Sequence, residues 1–127
     1  MYFWVVNSEV SDGAASIKSK KQGLVFLPVR GWQYWSGTWK DDDTLTVAGK
    51  HISCLNSNYF HLFTEGEPTY PNTVTVSSTG GASERWPSVM GVYKITNITH
   101  SGRPVWQSTV REDRYLLYNG NIIIIHI

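Results

Sequence analysis

The sequence predicts an all-β fold, a compact antiparallel sheet domain of sandwich or barrel type, and three observations carry the prediction. No window of a dozen residues repeats apolar side chains at three and four, because Gly, Pro, Ser, Thr and Asn interrupt every segment. Short runs of β-branched and aromatic residues recur instead, divided by turn formers. The composition is sticky rather than charged: 13% aromatic, with 6 Trp and 7 Tyr, and only 17% charged against ~25% in an average soluble domain.

The 127 residues are one domain's worth of chain. An apolar fraction of 41% supplies a core, since a chain of this size hides about two-thirds of its unfolded surface, and intrinsic disorder is not expected on that ground. Strands are expected, in order, over 2–6, 23–28, 32–35, 44–47, 51–55, 59–63, 73–77, 91–96, 104–107, 114–118 and 122–127. Asp12-Gly13, Ser36-Gly37, Ser101-Gly102 and Asn119-Gly120 are turn dipeptides in which Gly, or Asn with Gly, supplies positive φ, and each is expected to reverse the chain. The Pro and Gly of Glu65-Gly66-Glu67-Pro68 and Tyr70-Pro71-Asn72, with the small residues over 77–83, place an internal seam between about Ala48 and Asn72.

Eleven basic and ten acidic side chains leave a net charge of +1, so no long-range field exists to hold nucleic acid or an anionic membrane, and neither partner is expected. Cys54 is the only cysteine, cannot form an internal disulfide and is expected to be a small buried apolar residue. The start, Met1-Tyr2-Phe3-Trp4-Val5-Val6-Asn7, has no basic region and a short apolar run, which reads as neither signal peptide nor membrane span and makes a cytoplasmic location the default. Asn97-Ile98-Thr99 is a glycosylation sequon that would matter in a piece of a larger secreted protein, although one sequon at this length is near chance.

Gly91-Val92-Tyr93, Gly102-Arg103-Pro104-Val105-Trp106 and Tyr115-Leu116-Leu117-Tyr118 resemble an aromatic β-module that recurs, often in tandem, in invertebrate and protist multidomain proteins. In that family a Gly-x-Tyr strand, a Gly-Arg-Pro-Val-aromatic segment and a Tyr-Leu-x-Tyr strand are followed by a Trp strand and a Trp-rich close. The order here is displaced. The closing half comes first, through Phe3-Trp4-Val5-Val6, Ser16-Ile17-Lys18-Ser19, Gly31-Trp32-Gln33-Tyr34-Trp35, Trp39 and Thr44-Leu45-Thr46-Val47; the opening half follows. The resemblance covers about three-quarters of the chain and implies a half-module over 1–47, a linker over 48–72 and a second half-module over 73–127.

A half-module exposes an unpaired strand edge and half an apolar face, which soluble proteins rarely tolerate. Two arrangements satisfy both halves: closure within one chain, with 3–6 beside 114–118, or exchange between two chains as a domain-swapped dimer. Closure within the chain is favoured, because a linker of about 25 residues spans up to ~80 Å. The isoleucines over 122–127 depart from the pattern, standing where the family has its Trp strand.

No Gly-x-Ser-x-Gly, His-Glu-x-x-His or glycine-rich phosphate loop is present, so no enzyme, cofactor or metal is expected, and a scattered active site is the least favoured alternative. His51, His61, His100 and His126 stand singly, and His51 and His61 about Cys54 make only a weak metal set. Asp41-Asp42-Asp43 lacks calcium-loop spacing and reads as a solvated turn, and Lys18-Ser19-Lys20-Lys21 as a polar loop without an aromatic platform beside it. Arg103 reads as structural, stacked on a Trp or forked onto Asp113 or Glu112. The binding candidates are Trp32, Tyr34, Trp35 and Trp39 with Arg103, since alternation puts Trp32 and Tyr34 on one face and Trp35 on the other. The expected function is a non-catalytic binding or scaffold module that recognises a protein partner through an aromatic sheet surface, with a lectin-like carbohydrate binder as the alternative.

Overall fold

The computed structural model describes residues 2–10, 15–24, 26–50 and 70–120. Among these residues nine strands form one antiparallel sheet: β1 (Phe3–Asn7), β2 (Ile17–Ser19), β3 (Trp32–Trp35), β4 (Trp39–Asp41), β5 (Thr46–Lys50), β6 (Thr73–Ser77), β7 (Gly91–His100), β8 (Arg103–Ser108) and β9 (Tyr115–Asn119). The all-β prediction holds, with the sheet curled into a half-barrel. Helix is confined to α1 (Gly81–Arg85) and a 3-10 turn at Pro87–Val89, both missed by periodicity because neither is long enough to show any.

The sheet order is β4-β3-β2-β1-β9-β8-β7-β6-β5, so the two edge strands are neighbours in sequence. Curling is therefore compulsory. Nine flat strands would hold their edges about 38 Å apart, whereas the five Cα steps from Asp41 to Thr46 reach at most ~19 Å. Val47 N donates to Val29 O at 2.9 Å, so the segment entering β3 lies along the free edge of β5.

The first and last described strands pair over their whole length, with Trp4 opposite Tyr118 and Val6 opposite Leu116. Trp4 and Leu116 consequently share one core, which also takes Ile17, Trp32, Val74, Val76, Tyr93 and Trp106 from the concave face. A smaller cluster of Val5, Ala15, Val105 and Leu117 lies on the convex face, as period-two alternation requires.

Concave tryptophans do more than fill volume. Trp4 Nε1 donates to Leu24 O at 3.1 Å, Trp32 Nε1 to Pro28 O at 2.8 Å and Trp106 Nε1 to Pro71 O at 2.9 Å. Each indole thus satisfies its one donor on a carbonyl of an irregular segment. This bears on the strand expected over 23–28, which is not formed by its described residues, 23, 24 and 26–28: Gly23 turns at φ +70°, and the carbonyls of Leu24 and Pro28 are engaged by indoles instead of by a ladder.

Other boundaries shift. The strand expected over 44–47 begins at Thr46 and runs to Lys50, taking residues assigned to the linker; Ala48 pairs with Thr75. β2 and β4 are additions, three residues each, too short to show a pattern of their own. The Ser101-Gly102 turn is a two-residue hairpin with φ of 54° and 78°, as the dipeptide predicts, and Gly37 turns at 78° between β3 and β4. The Asp12-Gly13 turn and the strands expected over 51–55, 59–63 and 122–127 lie outside the described residues, with Cys54, His51, His61 and His126. No helix among the described residues is long and apolar enough to cross a membrane.

Candidate functional site

The β3–β4 hairpin carries the aromatic cluster singled out in the sequence, and the fold divides it. Trp32 is 1% exposed and belongs to the core. Tyr34 also points inward, half-buried against the same core, with its ring and hydroxyl pressed on Gly81 so closely that no Cβ fits there. The Trp32 side chain is thus closed off from solvent. Trp35 and Trp39 face outward as a directly opposed pair, both half-buried, with ring centroids 5.3 Å apart and planes at 66°.

The next outward pair along the hairpin is Gln33 opposite Asp41. Gln33 Nε2 donates to Asp41 Oδ1 at 2.8 Å, and Lys20 Nζ donates to Asp41 Oδ2 at 3.1 Å. Both hydrogen bonds, Gln33's first, hold the Asp41 carboxyl below its ordinary range. On the other side Lys18 Nζ donates to Gln33 Oε1 at 2.9 Å. The ammonium sits 4.4 Å from the Phe3 ring centroid and 5.1 Å from that of Trp39. Burial lowers the Lys18 pKa, with the Asp41 charge working against it. The expected polar loop over 18–21 is thus corrected: Lys18 is a strand residue of β2 set against two aromatic rings.

These polar groups form one wired row, Lys18 to Gln33 to Asp41 to Lys20, beside the two outward indoles. Sequence inspection missed Phe3, Lys18, Lys20 and Asp41 as parts of one site. The available signal was the alternation within β1 to β4, but it could be used only once β2 and β4 were recognised as strands.

Arg103 lies elsewhere. Its guanidinium stacks 4.0 Å from the Tyr118 ring centroid, and Tyr2 stacks on the same ring at 5.2 Å. It forks onto neither expected carboxylate, and Asp113 faces Arg111 and Arg114 at 3.5 and 3.3 Å. Asp42 also departs from the solvated turn expected of it: it is 8% exposed and accepts from Thr44 N, Thr44 Oγ1, Ser78 Oγ and Ala82 N at 2.9, 2.6, 2.8 and 2.9 Å. Desolvation pushes its pKa up, but those four donors together outweigh it and hold the group at about 2. Asp42 fastens the β4–β5 corner to the start of α1.

A second concavity, an open groove of about 430 Å³, runs over β7 and β8 beside the bulge between Ile95 and Thr99. Four of its polar side chains are engaged: Gln107 Nε2 donates to Glu112 O, Thr96 Oγ1 to Val105 O and Thr109 Oγ1 to Val92 O, and Ser108 Oγ accepts from Val110 N and Arg111 N. Asn97 of the sequon is exposed at this bulge. Among the described residues no group of three or more His, Cys, Asp or Glu is placed to hold a metal ion.

The chain matches no family model, no curated protein and no solved structure.

Proposed function

We propose that the protein is a non-catalytic binding module whose ligand seats on the outward face of the β3–β4 hairpin. The observation that carries this reading is the separation of the two tryptophan populations. Trp4, Trp32 and Trp106 are locked into the core, whereas Trp35 and Trp39 face outward beside a polar row whose geometry is already set. A half-barrel whose edges are tied at one corner presents that face as a rigid surface, so little ordering entropy is lost when a ligand arrives. The most deeply buried described carboxylate, Asp42, is held ionised by four donors and acts as a fastener, which suits a module that binds without turning its ligand over. On this reading the two half-modules that the resemblance suggests would join where β1 pairs with β9.

Trp35→Ala combined with Trp39→Ala tests this reading. The variant and the natural chain are screened against a displayed peptide library and a printed array of neutral glycans. The expected result is at least a tenfold loss of every selected ligand with the far-UV circular dichroism unchanged, since exposed aromatics dominate such contacts. Ligands retained at full affinity by the folded double variant would overturn it.

A further inference from the structure

We propose that the folded chain presents Asn97 as an acceptor for N-linked oligosaccharide, on the projecting arm of the β7–β8 hairpin. The site stands apart from the β3–β4 face, so neither reading depends on the other.

Asn97-Ile98-Thr99 is the one Asn-x-Ser/Thr triplet in the sequence, and its middle residue is not Pro. A triplet of this kind arises readily by chance, but chance does not decide where the fold puts it. Among the described asparagines, Asn7 and Asn119 are buried in strands at 2% and 0% exposure, and Asn72 is half-buried. Asn97, Ile98 and Thr99 are instead exposed as a consecutive run. The Asn97 carboxamide and the Thr99 hydroxyl, the two groups the chemistry needs, make no side-chain hydrogen bond among the described residues.

The backbone shows how the triplet is set out. Ile95 pairs with Trp106 and Thr99 with Pro104, so Thr96, Asn97 and Ile98 stand against Val105 alone and the strand must bulge. Thr96 closes the bulge from within: its Oγ1 donates to Val105 O at 2.7 Å and accepts from Ile98 N at 3.1 Å. On the other side the β6 ladder stops at Thr73 opposite Lys94, with one more bond from Ile95 N to Asn72 O at 2.9 Å. From Thr96 to His100, β7 therefore has no neighbouring strand on that side among the described residues. An arm bulged on one side and open on the other lets a transferase close around three consecutive residues without unpicking the sheet.

The transfer balances within named groups. Asn97 Nδ2 attacks the anomeric carbon of a lipid-pyrophosphate-linked oligosaccharide, and the new C–N bond forms as the C–O bond to pyrophosphate breaks. The lipid pyrophosphate leaves, and the amide proton passes to a base of the transferase. Thr99 supplies the hydroxyl by which the triplet is recognised. The product suits its place, since a bulky polar glycan shields Ile98, 45% exposed, beside the open groove over β7 and β8.

The whole folded chain, incubated with a single-subunit oligosaccharyltransferase and a lipid-pyrophosphate-linked oligosaccharide, tests the proposal, with a short Asn-x-Thr peptide to show that the enzyme is active. The expected result is a single step in intact mass, equal to one oligosaccharide and reversed by peptide-N-glycosidase. Asn97→Gln and Thr99→Ala are expected to abolish the step, and Thr99→Ser to keep it at lower yield. All three leave far-UV circular dichroism unchanged, because neither side chain is buried or bonded. No transfer to the folded chain overturns the proposal, even where the urea-unfolded chain is modified, since the fold would then hide the triplet. A step that survives Asn97→Gln overturns it as well.

Discussion

Trp106 and Trp39 are the same residue on opposite faces of one sheet, and the fold treats them differently. Trp106 is fully buried, gives its indole N–H to Pro71 O and packs edge-on against Trp4 at 5.9 Å. Trp39 is half-buried, and its Nε1 is shielded from solvent without an acceptor among the described residues. A shielded donor left unpaired costs about 1–3 kcal/mol, so the concave face is built for stability and the convex face tolerates a cost. That asymmetry gives the inner tryptophans the structural role, and it is on this contrast that the proposed recognition by the outer ones rests.

The sharpest way to break the comparison is to truncate an inner tryptophan. Trp106→Ala removes a buried aromatic and frees Pro71 O, and is expected to cost about 3–5 kcal/mol, a large part of the ~5–15 kcal/mol that holds a small domain together. Urea denaturation followed by far-UV circular dichroism measures it. A loss under about 1 kcal/mol would show that the concave face is not the structural core.

Next in size is the corner that brings the sheet's edges together. Asp42→Ala strands Ala82 N and the Thr44 and Ser78 hydroxyls, and about 3 kcal/mol of destabilisation is expected. The pH dependence has a defined sign. Because the folded pKa, about 2, lies below the ordinary 3.8, the contribution is complete above about pH 3.8 and is lost as pH falls through about 2. Asp42→Asn should therefore flatten the fall in urea midpoint between pH 5 and pH 2 relative to the natural chain, and an unchanged fall would show that other carboxylates control acid unfolding.

Much of this was legible beforehand. Thr73 to Ser77 alternates apolar and polar residues, and its burial follows the alternation, with Val74 and Val76 inside. Ser101-Gly102 announced a hairpin because Gly tolerates left-handed backbone, and Trp32, Tyr34 and Trp35 took the faces that period two assigns. Three things were hidden. Residues 23–28 are as apolar as a strand in sequence, and only the folded chain shows the indoles of Trp4 and Trp32 claiming the carbonyls of Leu24 and Pro28. β2 and β4 draw their existence from neighbours in the sheet, so Lys18 and Asp41 could not be placed on one face. Asp42 looks like its neighbours in sequence, and becomes a fastener only when Ser78 and Ala82 arrive from more than thirty residues away.

A smaller effect sharpens the boundary between the faces at Tyr34. A Cβ at Gly81 would strike the Tyr34 ring, so Gly81→Ala is expected to cost about 1–3 kcal/mol through overpacking. Tyr34→Leu added to Gly81→Ala should relieve part of that cost, and strictly additive losses in urea would show that the two groups do not press on each other.

The least disturbing change is the most informative about function. Trp35 is half-buried, its ring leans on Trp39, and Trp86 Nε1 reaches its backbone oxygen at 2.8 Å, a bond any residue at this position retains. Trp35→Ala therefore loses part of one ring's contact area and no core volume, for an expected stability loss of about 1 kcal/mol. If the convex face is for recognition, this variant stays folded, with a urea midpoint near that of the natural chain, while ligand retention falls about tenfold or more. A loss of stability as large as that of Trp106→Ala would mean that Trp35 belongs to the framework, and the division of labour between the two faces would fail.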